Sequence, residues 1–226
     1  MIARQLGPLL RRRAATPAAA STRPLPQPPR GSCRCSSSGG GSGSFAKVYG
    51  LSGVSVGKAG CDVTTSTGFT ISSDTPVPSG GRNAAPQPVE LMLGALLGCE
   101  TATAHFVARQ LWPRPHNRID RIEWQDVTAE RDERGALSLP ITQPAPVPAG
   151  LTRVRGVALV VPAAVAPRRG ARGAGGDAAA DQRPSPITEA DVVALGEIVE
   201  ERCPVAAMFA ASGCELDFEW RLLQQG

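Results

Sequence analysis

Closely spaced metal ligands are scarce in this chain of 226 residues. It has two histidines, His105 and His116, and none of the four cysteines beyond residue 44 lies two residues from another. Zinc sites usually combine cysteine and histidine ligands at short spacings. The sequence therefore supports a zinc site only weakly, and we expect no metal and no other cofactor.

The chain also lacks a long apolar run without charged residues. Its most apolar segment is interrupted by Glu90, Glu100 and His105, whereas a membrane-spanning helix needs about 20 predominantly apolar residues. A secretory signal pattern is missing too, and a chain of this length does not need disulfides to stay folded. We therefore expect no membrane span and no secretory disulfide framework.

Acidic residues are missing from the first 44 positions, which hold seven arginines. The remaining residues hold 17 basic and 20 acidic side chains, so the net charge of +4 comes from this N-terminal segment. No basic patch with interleaved aromatic residues lies beyond it, which argues against nucleic-acid binding. An acid-free run rich in Arg, Ala and Ser is typical of organellar transit peptides. We predict that residues 1–44 are a transit peptide and flexible linker, mitochondrial rather than plastid; the alternative is an Ala/Arg/Pro tail without function.

Residues 45–226 have the pattern of one α+β domain. Alternating segments predict strands within 45–73, 119–140, 151–162 and 215–223, with a turn at Asp132–Gly135. Apolar periodicity predicts a helix from Val89 to about Leu111 and a second from Thr188 to Arg202, restarted by Pro204. Thr188 and Asp191 match a capping box at the start of the second helix. A low-complexity stretch at about 163–186 predicts a disordered insertion. We expect an antiparallel sheet that wraps two central helices.

The first predicted helix is apolar on nearly every side in its first half. A helix of this kind is buried all round in a folded protein. A thin sheet with a disordered insertion can bury only part of this apolar helix surface. A second copy of the chain can bury the rest by symmetry. The sequence therefore predicts a homodimer.

Two cysteines lie on these helices: Cys99 within the first, and Cys203 directly before Pro204, where the second restarts. Cys203 precedes Pro204 and is predicted to be the N-cap of a helix, where backbone N–H groups and the helix dipole favour a thiolate. A small buried residue at a helix bend is the equally weighted alternative. Cys99 lies mid-helix, where isolated cysteine is more often a small apolar residue than a reactive one.

The residues around these cysteines resemble a known family. The motif PQPVELMLGALLGC, followed about 100 residues later by RCPV, is similar to the OsmC/Ohr family (osmotically inducible protein C, organic hydroperoxide resistance protein) over roughly residues 45–223. The resemblance implies an intertwined α+β homodimer whose two central helices bring the cysteines together. It also implies that Cys99 attacks an organic hydroperoxide, that Cys203 resolves the sulfenic acid into a disulfide, and that a dithiol or lipoyl group reduces it.

The chain departs from the family pattern at the cation that activates the first thiol. The family uses an arginine from an early strand, but no arginine lies between Arg34 and Arg82 here. Lys58 and Arg82 are the possible substitutes. Glu90 is the candidate for the family's helical glutamate, although nine residues place it on the helix side opposite Cys99. Its alternative role is a favourable charge at the helix N-terminus.

The sequence thus favours an OsmC-like thiol peroxidase that acts on organic hydroperoxides in oxidative stress, with Cys99, Cys203, Glu90 and Arg82 as site residues. The missing early arginine favours the alternative, a non-catalytic OsmC-like domain that binds an apolar ligand at the dimer crevice. A zinc- or thiol-tethering structural protein is disfavoured by the ligand spacing.

Overall fold

The computed structural model describes residues 45–114, 116–164 and 186–223. The predicted transit segment and nearly all of the predicted insertion lie outside these residues. The chain forms two units: one holds the chain up to Ser52 with Thr64–Thr70, and the other holds Gly53–Val63 and the chain from Ile71 onward.

Three short strands begin the described chain, as predicted. They are β1 (Leu51–Val56), β2 (Gly60–Thr65) and β3 (Thr70–Ser73), in the order β1-β2-β3. Gly57 and Gly68 lie in the two connecting turns with φ of 66° and 91°, a region that glycine adopts without steric cost. A loop with a single 3-10 turn then leads to the first helix.

The long helix α1 spans Pro88–Leu111, within one residue of its predicted bounds. Pro88 occupies the first helical position, and Pro113 follows the C-cap residue Trp112. By length and composition α1 could cross a membrane, with a mean hydropathy of 1.4. In the structure 28% of its apolar window is buried, and α1 contacts α3, α4 and β4.

A second sheet contains β4 (Ile119–Arg131), β5 (Leu151–Pro162) and β6 (Glu215–Leu222) in that order. The β4–β5 pair is antiparallel, but β5 and β6 run parallel. The expectation of a purely antiparallel sheet is therefore wrong here. The helices α3 and α4 form the crossover between β5 and β6 that a parallel pair requires.

The β4–β5 connection begins with the predicted turn at Asp132–Gly135, where the Asp132 carbonyl accepts the Gly135 N–H at 3.2 Å. The strand expected beyond this turn, toward Pro140, is replaced by a one-turn helix, α2 (Arg134–Leu137). The carboxylate of Asp132 accepts the backbone N–H of Arg134 at 2.9 Å and also pairs with its guanidinium. This local capping favours a turn over further strand pairing.

The helices α3 (Glu189–Arg202) and α4 (Pro204–Ala211) follow the predicted pattern. Thr188 caps α3: its hydroxyl accepts the Asp191 backbone N–H, while the Asp191 carboxylate accepts the Thr188 backbone N–H at 2.8 Å. Pro204 begins α4, and Gly213 follows it with a φ of 83°. The predicted capping box and helix break are confirmed.

The main core lies between α1, α3 and the second sheet. Its buried members include Ala104, Val107, Ala108, Ile119, Ala158, Val160, Val192, Leu195, Val199 and Trp220. Trp220 of β6 lies directly on Gly196 of α3, where any Cβ would meet the indole at 2.4 Å. The α+β class is confirmed, and the packing of α1 against α3 sets the geometry of the site below.

Candidate active site: a dithiol in an apolar core

Cys99 of α1 and Cys203 at the α3–α4 junction face each other in a second core cluster. Cys203 belongs to the buried part of this cluster, and Cys99 packs against it. The proximity of Cys99 influences the pKa of the Cys203 thiol, and both thiols are free. Cysteines that are 104 positions apart in sequence are thus brought together by the contacts of α1 with α3 and α4.

The pKa of the Cys203 thiol is raised, although Cys203 lies at a helix N-terminus. Cys203 is the N-cap of α4, and its Sγ accepts the Ala206 N–H at 3.4 Å. Burial nevertheless raises the pKa of the Cys203 thiol; the Ala206 N–H only partly offsets this, and the contact with Cys99 raises the pKa further. Of the two equally weighted expectations for Cys203, the small buried residue at a helix bend fits this environment better, because desolvation outweighs the helix terminus.

The two thiols differ in access to solvent. Cys203 is fully buried, whereas Cys99 is partly exposed. A small molecule can therefore reach Cys99 more readily than Cys203. The buried thiol is the protonated partner, and the accessible thiol is the one that an incoming reagent meets first.

Apolar side chains enclose this pair. They include Leu93, Leu96, Val154, Val205, Ala206 and Phe209. Cys214 lies in the same cluster, and burial raises the pKa of its thiol, which donates to the Glu215 carbonyl at 3.8 Å. Cys61 is a partly exposed residue of β2. An apolar molecule suits such surroundings better than a charged one.

Glu90 lies at the start of α1 rather than beside a thiol. Its carboxylate accepts the Gln87 backbone N–H at 2.8 Å. This bond satisfies one of the donors left free at a helix N-terminus. Glu90 thus has the alternative role considered for it, a carboxylate that stabilises the N-terminus of α1.

Arg82 lies in the loop before α1, anchored by Asp74. The buried Asp74 accepts the backbone N–H groups of Thr75, Arg82 and Ala84, which lowers its pKa. The Arg82 guanidinium pairs with Asp74 at 4.0 Å. Arg82 and Lys58 line one cavity of about 350 Å³. Among the described residues, no hydrogen bond or ion pair links Arg82 or Glu90 to either thiol.

One residue that the sequence reasoning treated only as an interruption is Glu100. It follows Cys99, is fully buried, and neither carboxyl oxygen has a hydrogen-bond partner in the described part of the chain. The signal was available in the sequence: an acidic residue in the middle of a largely apolar helix, directly after a cysteine. No group of three or more His, Cys, Asp or Glu residues arranged to hold a metal occurs within residues 45–114, 116–164 and 186–223.

Comparison with solved structures identifies the fold. An OsmC-like protein from Mycoplasma pneumoniae is similar at a TM-score of 0.53 and 18% identity, covering 79% of this chain and 99% of that one. An OsmC-like protein of unknown function from Vibrio cholerae is similar at 0.53 and 11%, covering 79% and 100%. A hypothetical protein from Aquifex aeolicus is similar at 0.52 and 14%, covering 80% and 100%.

No protein-family model and no curated protein matches the chain. At these identities the solved structures define the fold and no more. The protein has the OsmC-like α+β fold, as the sequence resemblance implied.

Proposed function

We propose that this protein is a thiol-dependent peroxidase that reduces organic hydroperoxides through Cys99 and Cys203. The observation that carries the proposal is the pairing of an accessible thiol with a buried, protonated one inside an apolar cluster. The OsmC-like fold is consistent with it.

Cys99 is the attacking thiol in this proposal. Its thiolate attacks the distal peroxide oxygen, the O–O bond breaks, and an alcohol leaves a sulfenic acid on Cys99. The Cys203 thiol then attacks the sulfenic sulfur, so a disulfide forms and water leaves. The buried, protonated state of Cys203 suits this second step, since its proton departs with the hydroxyl group as water.

The cation that favours the Cys99 thiolate is proposed to come from a second subunit, as Arg82 or Lys58. Both line one cavity, and the side chain of Arg82 is 62% exposed although its backbone is fixed by Asp74. Because the backbone of Arg82 is fixed and its side chain is exposed, its guanidinium can reach a thiol across a subunit interface. Glu90, at the exposed start of α1, could orient such an arginine.

A homodimer is supported by the surface of α1. Met92 and Phe106 are 44% and 51% exposed, and open space lies beside Gly94 and Gly98. Leu51 on β1 and Phe69 in the turn between β2 and β3 are 65% and 70% exposed. Apolar surfaces of this kind usually mark interaction sites.

The remaining assignments stay predictions. The reductant that restores the dithiol is proposed to be a small dithiol or a protein-bound lipoyl group. The location is proposed to be the mitochondrion, with the plastid as the alternative, because the acid-free residues 1–44 have the composition of a transit peptide.

Hydroperoxide consumption by the purified protein with dihydrolipoamide tests this function. We expect turnover of cumene hydroperoxide by the wild type, its loss in Cys99→Ser, and wild-type turnover in the control Cys61→Ser. The wild type and Cys99→Ser consuming the peroxide at the same rate would refute the proposal.

A second candidate, an OsmC-like domain that binds an apolar ligand without chemistry, is favoured by one observation. No cationic side chain contacts either thiol among the described residues. Saturable binding of a fatty acid, with both thiols free after hydroperoxide treatment, would support this candidate instead.

A further inference from the structure

Glu100 carries a carboxyl group that is fully buried next to Cys99 in sequence. Neither of its oxygens has a hydrogen-bond partner in the described chain. An unpaired buried carboxylate is very costly, so such a group keeps a proton instead. Burial and, second, the charge of Glu200 raise the pKa of Glu100 to about 8. Glu100 is therefore mostly protonated at neutral pH.

The group that faces Glu100 across the helix contact is the half-buried Glu200 of α3. Burial raises the pKa of Glu200 as well, and the Trp220 indole near it acts in the opposite direction. Two further carboxylates, Asp217 of β6 and Glu197 of α3, add to the rise. Two carboxyl groups that repel each other in a buried contact hold one proton between them more readily than none.

The other elements packed against α1 bring no cation to this carboxyl pair. The sequence of α4, PVAAMFAA, has no titratable side chain. On β4, Arg121 pairs with Asp120 and Glu123 in solvent. Within the described residues, no ion pair or hydrogen bond from a cationic side chain reaches Glu100 or Glu200.

The carboxyl pair and the dithiol belong to the same helix contact. Cys99 and Glu100 are consecutive on α1, and Glu200 precedes Cys203 by three positions. Side chains three positions apart on a helix have Cβ atoms about 5–6 Å apart. The packing that brings Cys99 to Cys203 thus also brings Glu100 to Glu200, about one helical turn away.

We propose that Glu100 and Glu200 share one proton and supply it to the dithiol site when Cys99 reduces a hydroperoxide. This inference rests on the proposed peroxidase function. The carboxyl pair is a proton store beside the reacting sulfurs, and Cys99 and Cys203 remain the groups that exchange electrons.

The proton balance of the reaction calls for such a store. When the Cys99 thiolate attacks the peroxide, the O–O bond breaks and an alkoxide leaves; it becomes an alcohol only by taking up a proton. The later condensation needs none, because the Cys203 proton leaves in the water formed. Oxidation of the Cys99 thiolate and the Cys203 thiol to a disulfide passes two electrons to the peroxide and takes up one proton. This proton replaces the one that Cys99 gave up when it ionised, and a group other than Cys203 must deliver it to the alkoxide.

After each reaction, a proton from solvent can return to the carboxyl pair through Glu200. Glu200 lines an open cavity of about 360 Å³, together with Glu197 and Trp220. Glu100 itself is sealed from water. A proton can therefore enter at Glu200 and pass to Glu100, whereas bulk water does not reach Glu100 directly.

The test compares two reactions of Cys99 in the full chain. Cumene hydroperoxide needs a proton for its leaving alkoxide, while iodoacetamide releases iodide and needs none. We expect Glu100→Gln to slow oxidation by the hydroperoxide about 100-fold or more and to leave alkylation of Cys99 at the wild-type rate. The control Glu201→Gln, at an exposed position on α3 that does not line this cavity, should match the wild type in both reactions.

The pH profile gives a second readout that a structural role would not move. The wild-type oxidation rate should fall above pH about 8, where Glu100 loses its proton, and Glu100→Gln should lack this alkaline limb. Glu200→Gln removes the facing charge, so it should shift the limb to lower pH; this variant keeps the test available if Glu100→Gln does not fold.

Two results would overturn the inference while leaving the peroxidase function intact. One is an unchanged rate and pH profile in Glu100→Gln, or in Glu200→Gln if only that variant folds. The other is an equal slowing of oxidation and alkylation in Glu100→Gln. A wild-type protein whose thiols do not react with the hydroperoxide would refute the peroxidase function itself, and the proton store with it.

Discussion

The thiol of Cys99 faces the thiol of Cys203 across the contact of α1 with the α3–α4 junction, and only Cys203 is fully buried. This asymmetry separates the roles that two neighbouring cysteines can take. The accessible thiol can meet a substrate, and the buried one can keep its proton until a disulfide forms. The predictions below test the packing, the charges and the chemistry on which this account depends.

The stability of the protein should depend on pH through Glu100. Its pKa rises from 4.5 to about 8 on folding, so the native state binds a proton that the unfolded state has released. The contribution of Glu100 to the free energy of unfolding should therefore be fully present below pH about 4.5 and fall by up to about 1.4 kcal/mol per pH unit up to pH about 8. Urea unfolding across this range should show this contribution in the wild type and in Glu201→Gln, and Glu100→Gln should lack it. A Glu100→Gln variant with the same slope would contradict the assignment.

The contact between Gly196 and Trp220 should not tolerate a side chain. Because a Cβ at position 196 would meet the indole at 2.4 Å, Gly196→Ala should lower the free energy of unfolding by about 1–3 kcal/mol or more. Gly150→Ala is the control in the β4–β5 connection, where nothing lies within 4 Å of the added Cβ. It should leave the stability unchanged or raise it by about 0.4–1 kcal/mol. Equal effects of the two substitutions in thermal unfolding would show that this contact is not close.

Asp74 should hold the loop that carries Arg82. It accepts three backbone N–H groups, so Asp74→Asn should leave at least one of them without an acceptor, lower the melting temperature and increase proteolysis of residues 75–86. Asp120→Asn, at an exposed carboxylate paired with the Arg121 side chain, is the control and should change neither. If the loop resists proteolysis equally in both variants, Asp74 does not order it.

The exposed side of α1 should form the subunit interface. Phe106 is 51% exposed on the apolar side of α1. Phe106→Glu places a charge on this side, so it should shift the protein toward monomers in sedimentation velocity. Leu139→Glu, at a residue 83% exposed in the β4–β5 connection, should leave the sedimentation coefficient unchanged. A wild-type protein that sediments as a monomer at micromolar concentration would refute the dimer.

Much of the fold could be predicted because local signals agreed with each other. Pro88 and Pro113 bound α1, the Thr188 capping box begins α3, and Pro204 separates α3 from α4. These signals act through backbone geometry and need no tertiary contact. The parallel pairing of β6 with β5 was missed because strand alternation is the same in both orientations, and only the crossover by α3 and α4 decides it.

The site was less predictable, since its properties depend on burial. The position of Cys203 at a helix N-terminus was readable from the following proline, but the rise in its pKa was not. A helix terminus is a local feature, whereas desolvation depends on what α1 and the sheet place over it. Glu100 was overlooked for the same reason: its sequence neighbours show that it interrupts an apolar helix, not that it is sealed against Glu200.

The central claim is tested most directly by mapping the cysteines after the reduced protein is treated with one equivalent of cumene hydroperoxide. The account predicts a Cys99–Cys203 disulfide in the wild type, because the two thiols already face each other. In Cys203→Ser it predicts a sulfenic acid on Cys99, trapped by dimedone, with Cys61 and Cys214 unmodified. Both thiols remaining free in the wild type, or a disulfide that joins Cys203 to Cys214 instead, would contradict it.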